Sequence, residues 1–139
     1  MNDADPHQPE ILISDRQDAP VDEDGLIELG LEVLAREGVT HGELSVSFVT
    51  VEEMADLHLR YTGEEGPTDV LSFPQDGDEG LLGDVVICPA EAEENNPDAQ
   101  AELRLLLVHG ILHLLGYDHE EDADRAQMWA RQDMYVGAR

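Results

Sequence analysis

Lysine is absent from the 139-residue sequence, whose seven basic side chains are all arginines set against thirty-three aspartates and glutamates. The formal net charge of −26 argues against loose, sequence-blind binding to nucleic acid, because that mode needs cationic side chains to displace counterions from phosphates. Such a carboxylate-rich surface suits concentrated salt, where repulsion is screened within roughly 3 Å at 1 M. A host of that kind would show in a stability that rises with salt. Cysteine occurs once, at Cys88. No internal disulfide can form, and a reducing, cytoplasmic compartment is expected. No apolar run is long enough to span a bilayer, and the acidic, polar start Met1-Asn2-Asp3-Ala4-Asp5-Pro6 resembles neither a signal nor a transit peptide. The length suits one domain, residues 1–139, with 1–9 disordered.

What is present alternates between two hydrophobic periods. Glu10 to Ile13 reads as a short first strand, and Leu26, Leu29, Val33 and Leu34 have helical spacing before the stop signal at Gly38. Leu44, Val46 and Phe48 alternate with Ser45 and Ser47, as in a half-buried strand. Thr50 and Glu53 form a capping-box signature for a helix that opens at Val51, carries Met54, Leu57 and Tyr61 on one face, and closes at Gly63 and Gly66-Pro67. Asp69 to Phe73 and Gly83 to Cys88 are strand candidates on either side of the acidic loop 75–80. Ala90 to Asn95 reads as a short helix. Asp98 is the expected N-cap of a longer one reaching about Leu115, apolar on nearly every face from Leu103 onward and therefore buried. A last helix, from about Glu121 to Val136, presents Met128, Trp129, Gln132 and Tyr135 at helical intervals. The pattern predicts an α+β domain: a small mixed sheet flanked by helices.

The buried helix carries His109 and His113, four residues apart and so on one face. Each imidazole nitrogen left unsatisfied among these leucines would cost about 1–3 kcal/mol, and a metal satisfies both. Gly116 can take a left-handed turn, letting His119 fold back toward the pair. Three imidazoles with a fourth position open are the ligand set of a catalytic zinc, one ion per chain, at the end of the central helix. The spacing resembles the metzincin pattern H-E-x-x-H-x-x-G-x-x-H, but Gly110 stands where the protease keeps its general base. A zinc peptidase is therefore the weakest reading.

The full run His109-Gly110-Ile111-Leu112-His113-Leu114-Leu115-Gly116-Tyr117-Asp118-His119 resembles the YbeY family, bacterial endoribonucleases of ribosomal RNA maturation. Gly66-Pro67-Thr68-Asp69-Val70-Leu71-Ser72-Phe73-Pro74 and Leu82-Gly83-Asp84-Val85-Val86-Ile87-Cys88-Pro89 agree with it in order and separation, so the resemblance runs from about Glu43 to the end. It implies a single-strand-specific, metal-dependent endoribonuclease acting in 3′-end maturation of small-subunit (16S) ribosomal RNA and in ribosome quality control. It also implies zinc on His109, His113 and His119, a metal at one end of a cleft beside the sheet, and partners among ribosomal proteins and the GTPase Era. Many members carry an arginine directly after the aromatic residue at Tyr61. Here Thr62 takes that position, with Arg60 nearby as a substitute.

Asp118 is the acidic candidate for a base or for orienting an imidazole; as an N-cap of the last helix it would serve structure alone. The attacking group is either water at the metal or the neighbouring 2′-hydroxyl of the RNA. Thr68, Asp69 and Ser72 are candidates to line the cleft, or else belong to a turn leading into a strand. Tyr117 stacks on a base or packs on the helix end, and Cys88 and Trp129 read as core. A non-catalytic ribosome-assembly factor with a structural zinc is the alternative, favoured by the missing arginine and the acidic surface.

Overall fold

A computed structural model of the chain describes residues 9–75, 80–117 and 122–136. In chain order the elements are β1 (Pro9–Asp15), α1 (Glu23–Arg36), β2 (Gly42–Phe48), α2 (Val51–Thr62), β3 (Val70–Pro74), β4 (Leu81–Ile87), α3 (Pro89–Asn95), α4 (Ala99–Leu114) and α5 (Asp122–Val136). The α+β class and the mixed sheet are as expected. Pro9, expected to be disordered, opens β1; residues 1–8 lie outside the described residues, as do 76–79 of the acidic loop.

The sheet order is β1-β2-β4-β3, parallel except for the antiparallel β3–β4 pair. Each strand therefore has two faces to cover, and period-2 alternation divides the residues between them. Val85 and Ile87 of β4 join the main core with α1 and α4, while Val86 and the following Cys88 join a second cluster with Met54 of α2. The same division holds in β3. Val70 packs into the main core and Leu71 and Phe73 into the second, which leaves Ser72 on the α4 side, where its hydroxyl donates to the Gly110 carbonyl at 3.2 Å.

Local signals set the helix starts. Asp22, Thr50 and Asp98 accept from Gly25, Glu53 and Ala101 backbone N–H groups, each at 3.1 Å. The capping box at Thr50 is only half formed, because Glu53 instead takes Arg16 in a two-point ion pair at 2.6 and 3.2 Å. Burial of α4 follows from its composition: Leu103, Leu106, Leu107, Val108, Ile111 and Leu112 are all buried. Cys88 is fully buried and burial pushes its thiol pKa up, as suits a core residue. Among the described residues no helix is long and apolar enough to cross a membrane.

Candidate metal centre and its cleft

Four residues of separation on α4 bring the half-buried rings of His109 and His113 to a centroid distance of 5.0 Å with an interplanar angle of 72°. Residue 110, one position on, faces the sheet instead. A Cβ there would lie 2.6 and 3.1 Å from the two Val85 methyls and 3.3 Å from the Ser72 hydroxyl. The glycine thus marks where α4 sits close against β4, with no room for a side chain at 110 unless Val85 shifts.

From α5, the buried Gln132 places Oε1 2.6 Å from His109 Nδ1. An amide oxygen can only accept, so a neutral ring in this pairing has its proton on Nδ1 and its lone pair on Nε2. This is how a ligating imidazole is normally oriented. The donor set therefore fits a borderline cation such as zinc. Among the described residues no three His, Cys, Asp or Glu side chains group as a metal site. The remaining expected ligand, His119, and the candidate base Asp118 lie outside the described residues. After α4, Gly116 has φ +104°, the left-handed turn expected at that point.

Two cavities meet at His109. One, of about 280 Å³, is lined by Asp69, Val70, Leu71, Ser72, His109 and His113. The other, of about 210 Å³, lies toward α5 and includes Trp129 and Gln132. Asp69 and Ser72 are thus cleft residues, whereas Thr68 leans on its neighbour, its hydroxyl 3.5 Å from Asp69 Oδ1. Trp129 is a correction. It is 53% exposed rather than core, because Met128 and Gln132 take the buried stripe of α5 and turn the indole outward.

The family described as Endoribonuclease YbeY matches residues 12–138. The chain belongs to the YbeY endoribonuclease family. A YbeY of Thermobifida fusca is 44% identical over 138 residues, covering 88% of this chain and 89% of that protein. One from Streptomyces coelicolor is 39% identical over 144 residues, covering 91% and 87%. A longer YbeY of Frankia casuarinae is 49% identical over 113 residues, and the chain spans only 56% of its length. A solution structure of a Thermotoga maritima protein superposes with a TM-score of 0.65 at 33% identity, covering 91% of this chain and 86% of that one.

At the position where the resemblance implied an arginine, the Thr62 hydroxyl donates to the His58 carbonyl at 2.7 Å. Arg60 is exposed and pairs with Asp56 one turn back at 2.8 Å, and it lines neither cavity at His109. Tyr61 is 64% exposed and leans on Phe73 with ring centroids 4.8 Å apart.

Sequence reasoning missed three polar residues of this YbeY chain. Gln132 and Glu102 each left a trace, a polar side chain on an apolar stripe. Glu37 left another: a carboxylate at the C-terminus of α1, where the helix dipole disfavours it. Its side chain is 6% exposed and takes the Tyr117 hydroxyl at 2.8 Å, the Tyr135 hydroxyl, and Arg131 at 3.7 Å. Tyr117 thus packs on the core with its hydroxyl bonded to Glu37. Burial and the Glu37 bond push the Tyr135 phenol up to about 12; the Glu37 bond and burial also raise Tyr117. A folded pKa above the unfolded value of about 10 stabilises the fold fully below pH 10, and the contribution fades as pH rises through about 12. Ultraviolet titration is expected to show a phenol ionising near pH 12, moving downward in Glu37→Gln. An unmoved curve would contradict the clamp.

Proposed function

We propose that this chain is a metal-dependent endoribonuclease that cuts single-stranded RNA, with one zinc ion held by His109, His113 and His119. The observation that carries the reading is the imidazole pair on α4, with Gln132 at Nδ1 of His109, opening onto a cleft beside the sheet. Zinc held this way supplies a water of pKa about 7 and polarises a phosphoryl oxygen. The chain's own residues do the rest. His109 and His113 hold the ion, Gln132 fixes one ring, and the Ser72 hydroxyl ties β3 to the helix between the two histidines. Asp118 serves as the base or orients an imidazole, and Arg60 is the cation that would have to leave Asp56 to meet a phosphate.

By family resemblance the substrate is the 3′ end of 16S ribosomal RNA. The setting is ribosome maturation and quality control in the cytoplasm, with small-subunit ribosomal proteins and the GTPase Era as partners. The test is cleavage of a single-stranded fragment of that RNA end by purified protein, across salt concentrations, with and without chelator. A 2′-deoxy sugar at the cut site separates attack by water from attack by the 2′-hydroxyl. Chelator-insensitive cleavage would refute the metal. No cleavage at any salt would favour the second reading, an assembly factor with a structural zinc, which the Arg60–Asp56 pairing and the acidic surface support.

Gln132→Leu is expected to weaken zinc binding about 10–100-fold, the usual cost of losing a partner that orients a ligating imidazole. Competition with a chromophoric chelator measures it, and an unchanged affinity would remove Gln132 from the site.

A further inference from the structure

The cavity of about 210 Å³ beside His109 is walled by Asp69, Val70, Glu102, Leu105, Leu106, His109, Trp129 and Gln132. It is smaller than the roughly 300–1,000 Å³ that drug-sized ligands occupy; one planar ring system suits it. Its apolar walls come from Val70, Leu105, Leu106 and the half-exposed indole of Trp129. Its polar wall sets the Asp69 and Glu102 carboxylates beside the Gln132 amide and the His109 ring. Asn95 Nδ2 is shared between Asp69 Oδ2 at 2.9 Å and Glu102 Oε2 at 3.3 Å.

Glu102 is 7% exposed on α4, about two turns before His109. Among the described residues no sealed side-chain oxygen or nitrogen lacks a hydrogen-bond partner. Glu102 lines the cavity, and Asn95 takes only one of the lone pairs of its carboxylate, at Oε2. A carboxylate oxygen so placed repels phosphate and asks for a donor. Oε1 and the second lone pair of Oε2 remain to accept, so two adjacent N–H groups on one edge of a flat ring would meet the carboxylate at both oxygens.

We propose that this cavity is a nucleobase subsite selective for guanine, with Glu102 as its specificity-determining residue and Trp129 as its stacking surface. The proposal rests on the nuclease reading, which puts a nucleotide of the cut strand next to His109. Among the four RNA bases only guanine carries two neighbouring donors, N1–H and the 2-amino group, on its pairing edge. Adenine and cytosine set an acceptor beside their amino group, and uracil flanks its single N–H with carbonyls. Unpaired bases in RNA are commonly held this way, with the face on an aromatic ring and the pairing edge on side chains.

Trp129 is the sole tryptophan, so its fluorescence reports on the cavity directly. Uridine-rich 2′-O-methyl tetranucleotides carrying one guanine, inosine or adenine would be titrated into the metal-loaded protein in about 1 M salt, which screens the acidic surface. The guanine oligonucleotide is expected to bind about tenfold or more tighter than the adenine one, as loss of hydrogen bonds to a charged group implies. Inosine, lacking the 2-amino group, falls between, and Glu102→Gln removes the preference. Equal binding of all three would overturn the proposal. So would quenching by N-acetylarginine amide without any by guanine, which would assign the cavity to an arginine of a protein partner. If Glu102→Gln fails to fold, the three-base comparison on the unmodified protein still decides. Guanine preference without cleavage of any RNA would reject the nuclease reading alone; cleavage without base preference at the cavity would reject the subsite alone.

Discussion

Replacing His113 by alanine is expected to lower metal-dependent RNA cleavage by at least about a hundredfold and to release the zinc. Loss of a partner that merely orients a ligand already costs about 10–100-fold in affinity or activity, and His113 is proposed as a ligand itself. Two ligands cannot hold an ion in the three-ligand, open-site arrangement that catalysis needs. The fold should survive, because the His113 ring is half-buried at the cleft and not among the packed leucines. Metal analysis of the purified variant, its cleavage rate, and its melting temperature with and without added zinc make up the measurement. Zinc should raise the melting temperature of the parent protein and leave the variant unmoved, since a ligand stabilises only the state that binds it. His41→Ala, at an exposed position between α1 and β2, is the control. A variant at His113 that cleaves as fast as the parent would reject the three-histidine centre.

The second large effect concerns Gly110. Exchanging a helical glycine for alanine ordinarily stabilises by about 1 kcal/mol. Here the added Cβ would meet a Val85 methyl at 2.6 Å. Val85 is β-branched, fully buried and in an interior strand of the sheet, so it has little freedom to turn aside. Overpacking of this kind costs about 1–3 kcal/mol, leaving a net loss of up to about 2 kcal/mol for Gly110→Ala. For a chain of this size each kcal/mol lowers Tm by roughly 4 °C. Gly110→Glu adds a buried carboxylate and is expected to lose several kcal/mol more. Denaturant unfolding of Gly110→Ala with Val85 intact and with Val85→Ala tests the cause. The penalty should shrink or reverse in the double variant. A Gly110→Ala protein more stable than the parent would show that α4 can back away from the sheet.

Much of the chain was legible because local chemistry and tertiary packing agree. Asp98 capping α4, Gly116 turning the chain after it, and the two strands flanking the acidic loop all follow from short-range rules. The His109–His113 pairing was legible for the same reason, since helix geometry alone puts residues four apart side by side. Trp129 was misread because helical spacing gives a stripe but does not say which of two adjacent residues faces inward; Met128 took that place. Glu53 was half misread because Arg16, thirty-seven residues away, competes for its carboxylate.

By itself the sequence determined the secondary elements, the α+β class, the family resemblance and the helical face that carries both imidazoles. These depend on neighbours within one or two turns or on alternation along a strand. Only the tertiary structure decided that Gln132 orients His109, that Glu37 gathers Tyr117, Tyr135 and Arg131, and that Gly110 is where helix meets sheet. Those contacts join residues far apart in the chain. No local periodicity encodes them, because they arise from how close packed layers approach and which buried polar groups must find one another.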